Sequence, residues 1–312
     1  MVSLFDMIKI LYITIFLLTL PAHSKTNSDL IKDVWDRATE IEDVRESKIE
    51  LQQTYYAISD PRNVNLRKLF YDYIKPNFNR AKLIELSEPE LHKLFMIISK
   101  LSFYTQEDDI LNFFNLLLKQ VSSENLSLVT YARTLRSRYV ANWMFSEALE
   151  LESEYNLLGE SSLIELEGEV TKARQVVIPS LSKGKLRNVD NFNHASHVVI
   201  VGSPFCTPSE RFTNWLNKNQ ELKKVIVENS VWITKQNGDL RIKETILYNS
   251  TNDNVPYSFV YKEAQWPSVT YWGTPTLYFF DENNNLVRQV VGWPREGREK
   301  SLLEALSAIN LL

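Results

Sequence analysis

The chain carries a single cysteine in 312 residues, Cys206, so it can form no disulfide within itself. Histidine is scarce as well, at 4 residues. His194 and His197 stand near each other with no carboxylate or thiol beside them in sequence, too small a ligand set for a metal site. Neither a metal nor a cofactor is expected. There is no Gly-rich phosphate loop, and no Ser-His-Asp arrangement with a recognisable nucleophile elbow. Only 8 glycines exclude a loop-dominated chain and fit a largely helical one. Neither sign of charge dominates: 35 Lys and Arg against 39 Asp and Glu give a net charge of −4. No basic stripe stands out, so a nucleic-acid partner is not expected.

Long apolar runs are also missing. The longest, Ile10 to Leu20, is shorter than the ~20 residues a membrane span needs. Lys9 precedes it, and Pro21-Ala22-His23-Ser24 follows with small residues at a cleavage-site spacing. This reads as a signal peptide over residues 1–24, with the mature chain in a periplasm or secreted. Membrane attachment is expected only if that segment stays uncleaved. An exported chain with one unpaired cysteine points to intermolecular pairing or to a free reactive thiol.

Apolar residues make up 44% of the chain and charged ones 24%, the balance of a globular protein with a real core. Residues 25–174 read as an α-helical domain. A charged helical stretch from Ser28 to Ser59 ends at Asp60-Pro61, and Pro76 breaks the segment after it. Leu91, Leu94, Phe95 and Ile98 then form an amphipathic stripe, with Ser87 and Glu90 spaced as a capping box. Ile110, Phe113, Phe114 and Leu117 form a second stripe, and Leu128, Tyr131, Ala132 and Leu135 a third. A fourth helix, Ser146 to Leu157, would bury Ala148, Leu151 and Tyr155. Short connections predict antiparallel hairpins. Tyr139, Ala141, Phe145 and Ala148-Leu149 weakly resemble one tetratricopeptide unit, without a repeat of fixed period.

From Thr171 to Asn193 the pattern fades into Pro179, Ser180, Ser182, Gly184 and Asn188, which reads as a linker, and the domain boundary is placed near 175. Beyond it, Val198 to Val201 is an apolar run that leads through Gly202-Ser203-Pro204-Phe205 to Cys206. Phe212, Trp215 and Leu216 follow at helical spacing. A cysteine between strand and helix sits on the helix N-terminus, where unpaired N–H groups and the dipole favour a thiolate. Later, Gly273-Thr274-Pro275 precedes the β-rich run Thr276 to Asp281, and a proline there opens a strand. Between these stretches, Ser230 to Thr234 and Arg241 to Tyr248 read as strands joined by an Asn237-Gly238 hairpin turn. Val255 to Thr270 reads as irregular or helical. Trp266, Tyr271 and Trp272 read as core, one or two of them lining a groove.

These residues resemble the thioredoxin family. Phe205-Cys206-Thr207-Pro208-Ser209 stands where that family has an aromatic, Cys, x, Pro, Cys. Thr274-Pro275-Thr276 stands on its cis-proline, Leu277 to Val291 on its closing hairpin, and Arg295 to Leu312 on its last helix. The resemblance implies an α+β chain of two domains, the helical one followed by a thioredoxin-like α/β domain over 175–312. Two departures agree with each other: Ser209 replaces the second cysteine, and Ile200 stands where the family has a buried carboxylate.

Cys206 and Ser209 are the candidate catalytic pair, with Phe205, Thr207, Pro208, Thr274 and Pro275 as candidate substrate contacts. Ser209 can donate a hydrogen bond to the sulfur but cannot release a mixed disulfide by attack. One reading is therefore an exported single-thiol protein that forms mixed disulfides with a protein or small-thiol partner, in redox chemistry or as a thiol-dependent chaperone. The alternative is a non-catalytic binding module, both regions holding a protein partner and the cysteine incidental.

Overall fold

The computed structural model describes residues 26–51, 61–122, 127–157, 163–189, 195–236, 238, 241–252 and 254–312. The expected signal peptide, the end of the first expected helix, His194 and Asn237 lie outside them. No helix among the described residues is long and apolar enough to cross a membrane.

The first half is helical: α1 (Asn27–Leu51), α2 (Pro61–Lys68), α3 (Arg80–Ile84), α4 (Glu88–Thr105), α5 (Asp108–Leu118), α6 (Leu128–Ala141) and α7 (Phe145–Glu154). The stripes on α4 and α5 are buried as their spacing predicts, and so are Tyr131, Ala132 and Leu135 on α6. The capping box is closed, the Ser87 N–H donating to Glu90 Oε2 at 2.9 Å. Tyr155 falls past the end of α7 and is half-buried, because the helix stops at Glu154. Pro76 does not break the chain outright. A π-helical stretch, Leu69–Ile74, widens the backbone just ahead of it. One more helical turn, Lys75–Asn77, then carries the proline near its start, where a missing N–H costs little.

Among the described residues, eight strands form one mixed sheet: β1 (Glu165–Glu167), β2 (Gln175–Pro179), β3 (Lys183–Asn188), β4 (His197–Val201), β5 (Ser230–Thr234), β6 (Ser258–Val260), β7 (Thr276–Phe280) and β8 (Leu286–Val291). Their order is β1-β3-β2-β6-β5-β4-β7-β8. Helices α8 (Thr207–Lys218) and α9 (Gln220–Glu228) connect β4 to β5 as a parallel crossover, and α11 (Glu299–Ala308) follows β8. The strand, helix, cis Thr274–Pro275 bond, hairpin and last helix implied by the thioredoxin resemblance are all present in order.

Three expectations fail. The stretch read as a linker contains β2 and β3, an antiparallel hairpin built into the sheet. Its turn residues punctuate the hairpin: Ser180 Oγ accepts from the Lys183 N–H at 3.2 Å. Gly184 is there because β3 lies close under its neighbours, and a Cβ would come within 2.6 Å of Val177 Cγ1. The stretch read as a strand from Arg241 is a helix, α10 (Ile242–Thr251). Its β-branched residues suggested a strand, but Ile242, Thr245 and Ile246 share one helical face, and Ile242 packs into the helical core. Gly238 is not a hairpin corner. It has φ +89°, and a Cβ there would come within 2.4 Å of the Ser137 carbonyl on α6. The stretch Val255 to Thr270, read as irregular or helical, contains β6.

The helical region and the sheet share a core. One apolar cluster joins Leu94, Phe114 and Leu135 of the helices to Val177, Leu186, Ile242 and Phe259. Trp143 seals the junction, its indole N–H donating to the Val260 carbonyl at 3.2 Å and its ring meeting Phe259 edge-on. A second cluster, with Ile200, Phe212, Trp232, Leu277 and Leu306, lies between the sheet and α8, α9 and α11.

Trp143→Ala is expected to cost about 3–5 kcal/mol, the range for truncating a buried aromatic. The loss should appear at one denaturation midpoint by both far-ultraviolet dichroism and tryptophan fluorescence. Two separated midpoints would show that the regions unfold independently. His197 is buried at the start of β4 and stacked on Phe280 at 4.9 Å, and burial lowers its pKa below the ordinary 6.5. The unfolded chain therefore takes up the proton first, and stability falls as pH drops through about 6.5. His197→Phe is expected to flatten that acid dependence between pH 7 and 5 in urea titrations.

Candidate functional site

The site forms because β4 ends where β7 begins. Val201 is paired with Thr276, so the turn leaving β4 faces the loop entering β7. That turn is closed by the Cys206 N–H donating to the Ser203 carbonyl at 3.2 Å and by the Phe205 N–H donating to Ser203 Oγ. Cys206 is the N-cap of α8, in an extended conformation, and its carbonyl accepts the Glu210 N–H at 2.9 Å. Pro208 lies in the first turn, where its missing N–H is no loss.

The Cys206 thiol is half-exposed and donates to the Thr274 carbonyl across the gap, with Sγ to O at 3.3 Å. The facing loop is held from below. Thr276 Oγ1 donates to the Gly273 carbonyl at 2.6 Å, and the Gly292 N–H to the Pro275 carbonyl at 2.8 Å. The buried Tyr278 hydroxyl donates to the Tyr271 carbonyl and accepts the Tyr271 N–H. The loop thus presents Thr274 to the sulfur from a rigid base.

Of the candidate contacts, Phe205 and Thr207 are exposed, Pro208 and Thr274 are half-buried, and Pro275 is buried behind them. Ser209 departs from expectation. It is 1% exposed, and its hydroxyl turns inward to accept the Ser203 N–H at 3.3 Å instead of meeting the sulfur. The reason is position: at the third residue of α8 its side chain faces the core, while the N-cap side chain faces the cleft. Trp266 is core at 2% exposed, whereas Tyr271 and Trp272 are half-buried and line a cavity beside the loop.

Two residues near the site carried no sequence signal. Tyr257 is buried beneath the motif, with the hydroxyls of Ser209 and Thr213 as polar neighbours, and burial pushes its phenol far up. Its hydroxyl makes no hydrogen bond of good geometry. Arg241, placed in a strand by sequence, precedes α10 and stacks its guanidinium 3.6 Å from the Phe205 ring centre. Among the described residues, no group of His, Cys, Asp and Glu is placed to hold a metal ion.

Gly202 is required by Tyr257. A Cβ there would lie 2.5 Å from the tyrosine hydroxyl. Gly202→Ala is therefore expected to destabilise by about 1–3 kcal/mol, as overpacking does. Tyr257→Phe in the same chain should restore only part, because a ring carbon still lies 2.8 Å away. Urea midpoints of the single and double variants measure both effects. Equal stability of Gly202→Ala and the natural chain would contradict the packing described.

No family model matches the chain, and no curated protein matches it. Among solved structures, the chain is similar to one described as a thiol:disulfide interchange protein DsbE from Chlorobium tepidum. The two are 18% identical, with a TM-score of 0.31, over 46% of this chain and 99% of that one.

Proposed function

We propose that this chain is an exported thioredoxin-like protein that works through one thiol, forming mixed disulfides with protein or small-thiol partners. The observation that carries the reading is the placement of Cys206. Its half-exposed sulfur caps α8 and lies 3.3 Å from the carbonyl of Thr274, with cis Pro275 behind it. In the forward step the Cys206 thiolate attacks one sulfur of a partner disulfide. The new S–S bond joins Cys206 to that sulfur, and the other sulfur leaves as a thiolate with the bonding electron pair. Cys206 is oxidised and the leaving half is reduced.

Ser209 offers no thiol to reverse this, so an external thiol releases the chain from its partner. The Thr274–Pro275 loop supports the partner segment during exchange, in the manner of strand addition. The helical region adds contacts that narrow the choice of partner. In a binding module, by contrast, the partner would be held without the sulfur.

The natural chain is expected to reduce protein disulfides with dithiothreitol at no more than background rate. Ser209→Cys should raise that rate, though modestly, because Ile200 supplies no carboxylate to assist the second thiol. In cells, acid-quenched extracts on non-reducing gels should show higher-mass adducts that collapse with reductant and vanish in Cys206→Ala. A partner that co-purifies equally with Cys206→Ala, with no adduct seen, would establish the binding module in place of the thiol chemistry.

A further inference from the structure

A cavity of about 300 Å³ opens between the helical region and the loop that faces Cys206. Arg62 of α2, Tyr104 at the end of α4 and Arg138 of α6 form one wall. Tyr271, Trp272 and Gly273 form the other. Gly273 adjoins Thr274, whose carbonyl accepts the Cys206 thiol, so one residue of backbone separates the cavity wall from the sulfur's partner. About 3.8 Å spans that step from Cα to Cα.

The lining is cationic. Among the described residues it contains Arg62, Arg138 and Lys235 and no aspartate or glutamate. Lys235 is answered by Glu263 outside the lining. The Arg62 guanidinium lies 3.6 Å over the Tyr104 ring. Arg138 is different. Among the described residues its guanidinium makes no hydrogen bond and no ion pair, and its one contact is the Phe103 ring at 4.8 Å. Burial lowers its pKa with no acid to offset the effect, yet a guanidinium stays charged at any ordinary pH. A half-buried arginine without a counter-charge carries an uncompensated desolvation cost, which an incoming carboxylate would relieve through two parallel hydrogen bonds. The buried Asn63 Oδ1 in the same lining also has no hydrogen-bond partner among the described residues, and it suits an amide N–H.

We infer that this cavity selects the partner of Cys206, by taking a carboxylate, with an amide beside it, carried close to the sulfur that the thiol engages. The inference rests on the mixed-disulfide reading above and names the chemical class of its partner. The donor of the carboxylate is either an acidic residue flanking a cysteine in a peptide or a small carboxylated thiol. Net charge cannot produce such a preference, because the chain carries −4 and repels anions at long range.

The test compares three small disulfides that differ in charge: dithiodiglycolate, 2-hydroxyethyl disulfide and cystamine. Rates of adduct formation at Cys206 are followed by mass. The anionic disulfide should react about tenfold faster than the neutral one, the gain expected for one charge-assisted contact, and the cationic one more slowly. Arg138→Gln should remove the anionic advantage and leave the neutral rate within about twofold. Arg138→Lys, which keeps the charge but not the fork, should retain part of it. Disulfide-linked peptides with glutamate or lysine beside the cysteine form a second arm. A preference confined to the small disulfides identifies a small-thiol partner, and one that extends to the glutamate peptides identifies a protein.

A third arm needs no thiol chemistry. Binding of acetyl-Glu-Ser-Glu-amide to the Cys206→Ser chain, measured by calorimetry, should be weakened by salt and lost with Arg138→Gln. If no disulfide reacts, the mixed-disulfide reading fails, and the binding arm alone decides the cavity. If Cys206 reacts equally with all three disulfides, or Arg138→Gln changes nothing, the cavity proposal is overturned while the thiol reading stands.

Discussion

The constraint on which the site depends is the register between β4 and β7. The five paired positions run from His197 against Phe280 to Val201 against Thr276. Antiparallel pairing brings the exit of one strand beside the start of the other. All residues of both strands are buried, so a slip by one residue would turn every side chain to the opposite face of the sheet and misplace two apolar layers. Core packing therefore fixes the register, and the register fixes the gap between Cys206 and Thr274. The site is precise because the sheet beneath it has no freedom to slide.

Around that pair two of the three apolar clusters among the described residues divide the labour. One ties α8, α9 and α11 to the sheet and sets the angle at which Cys206 caps its helix. The other runs from α1 through the helical hairpins into β2, β3 and β6, and it brings α6 up to the loop region. The contact is close enough that position 238 admits only glycine beside Ser137. The cationic cavity is a product of this second packing, since its walls come from segments far apart in sequence: α2, α4, α6 and the Thr270–Gly273 loop.

Ser209 and Tyr257 both lie beneath the Cys206 turn. Here the serine hydroxyl satisfies the Ser203 N–H, and a phenol fills the space against Gly202. Ile200 is wholly buried in the same cluster as Tyr257. The surroundings are those of a neutral, well-packed floor under a single half-exposed thiol.

Much of this was legible in the sequence. The amphipathic stripes of α4, α5 and α6 follow from a 3.6-residue period, the Ser87–Glu90 cap from local hydrogen bonding, and the Cys206 turn from an apolar run ending in glycine and proline. These features depend on neighbours within a few residues, so a chain read in order determines them. The failures have the opposite character. Gly184 and Pro179 resemble linker residues until they are seen paired across the β2–β3 hairpin, and Ile242 looks β-prone until its contacts with the helical core are known. Tyr257, Arg241 and Arg138 bear on the site only through packing between distant segments. Thus the sequence by itself determined the helical stripes, the strand-to-helix thiol and the lack of a second cysteine, because those are set by local chemistry. Only the tertiary structure decided that a hairpin extends the sheet, that Ser209 turns away from the sulfur and that Arg138 stands beside the loop with no ion pair among the described residues. Each of these is settled by which surfaces exclude water together, and no local pattern records that.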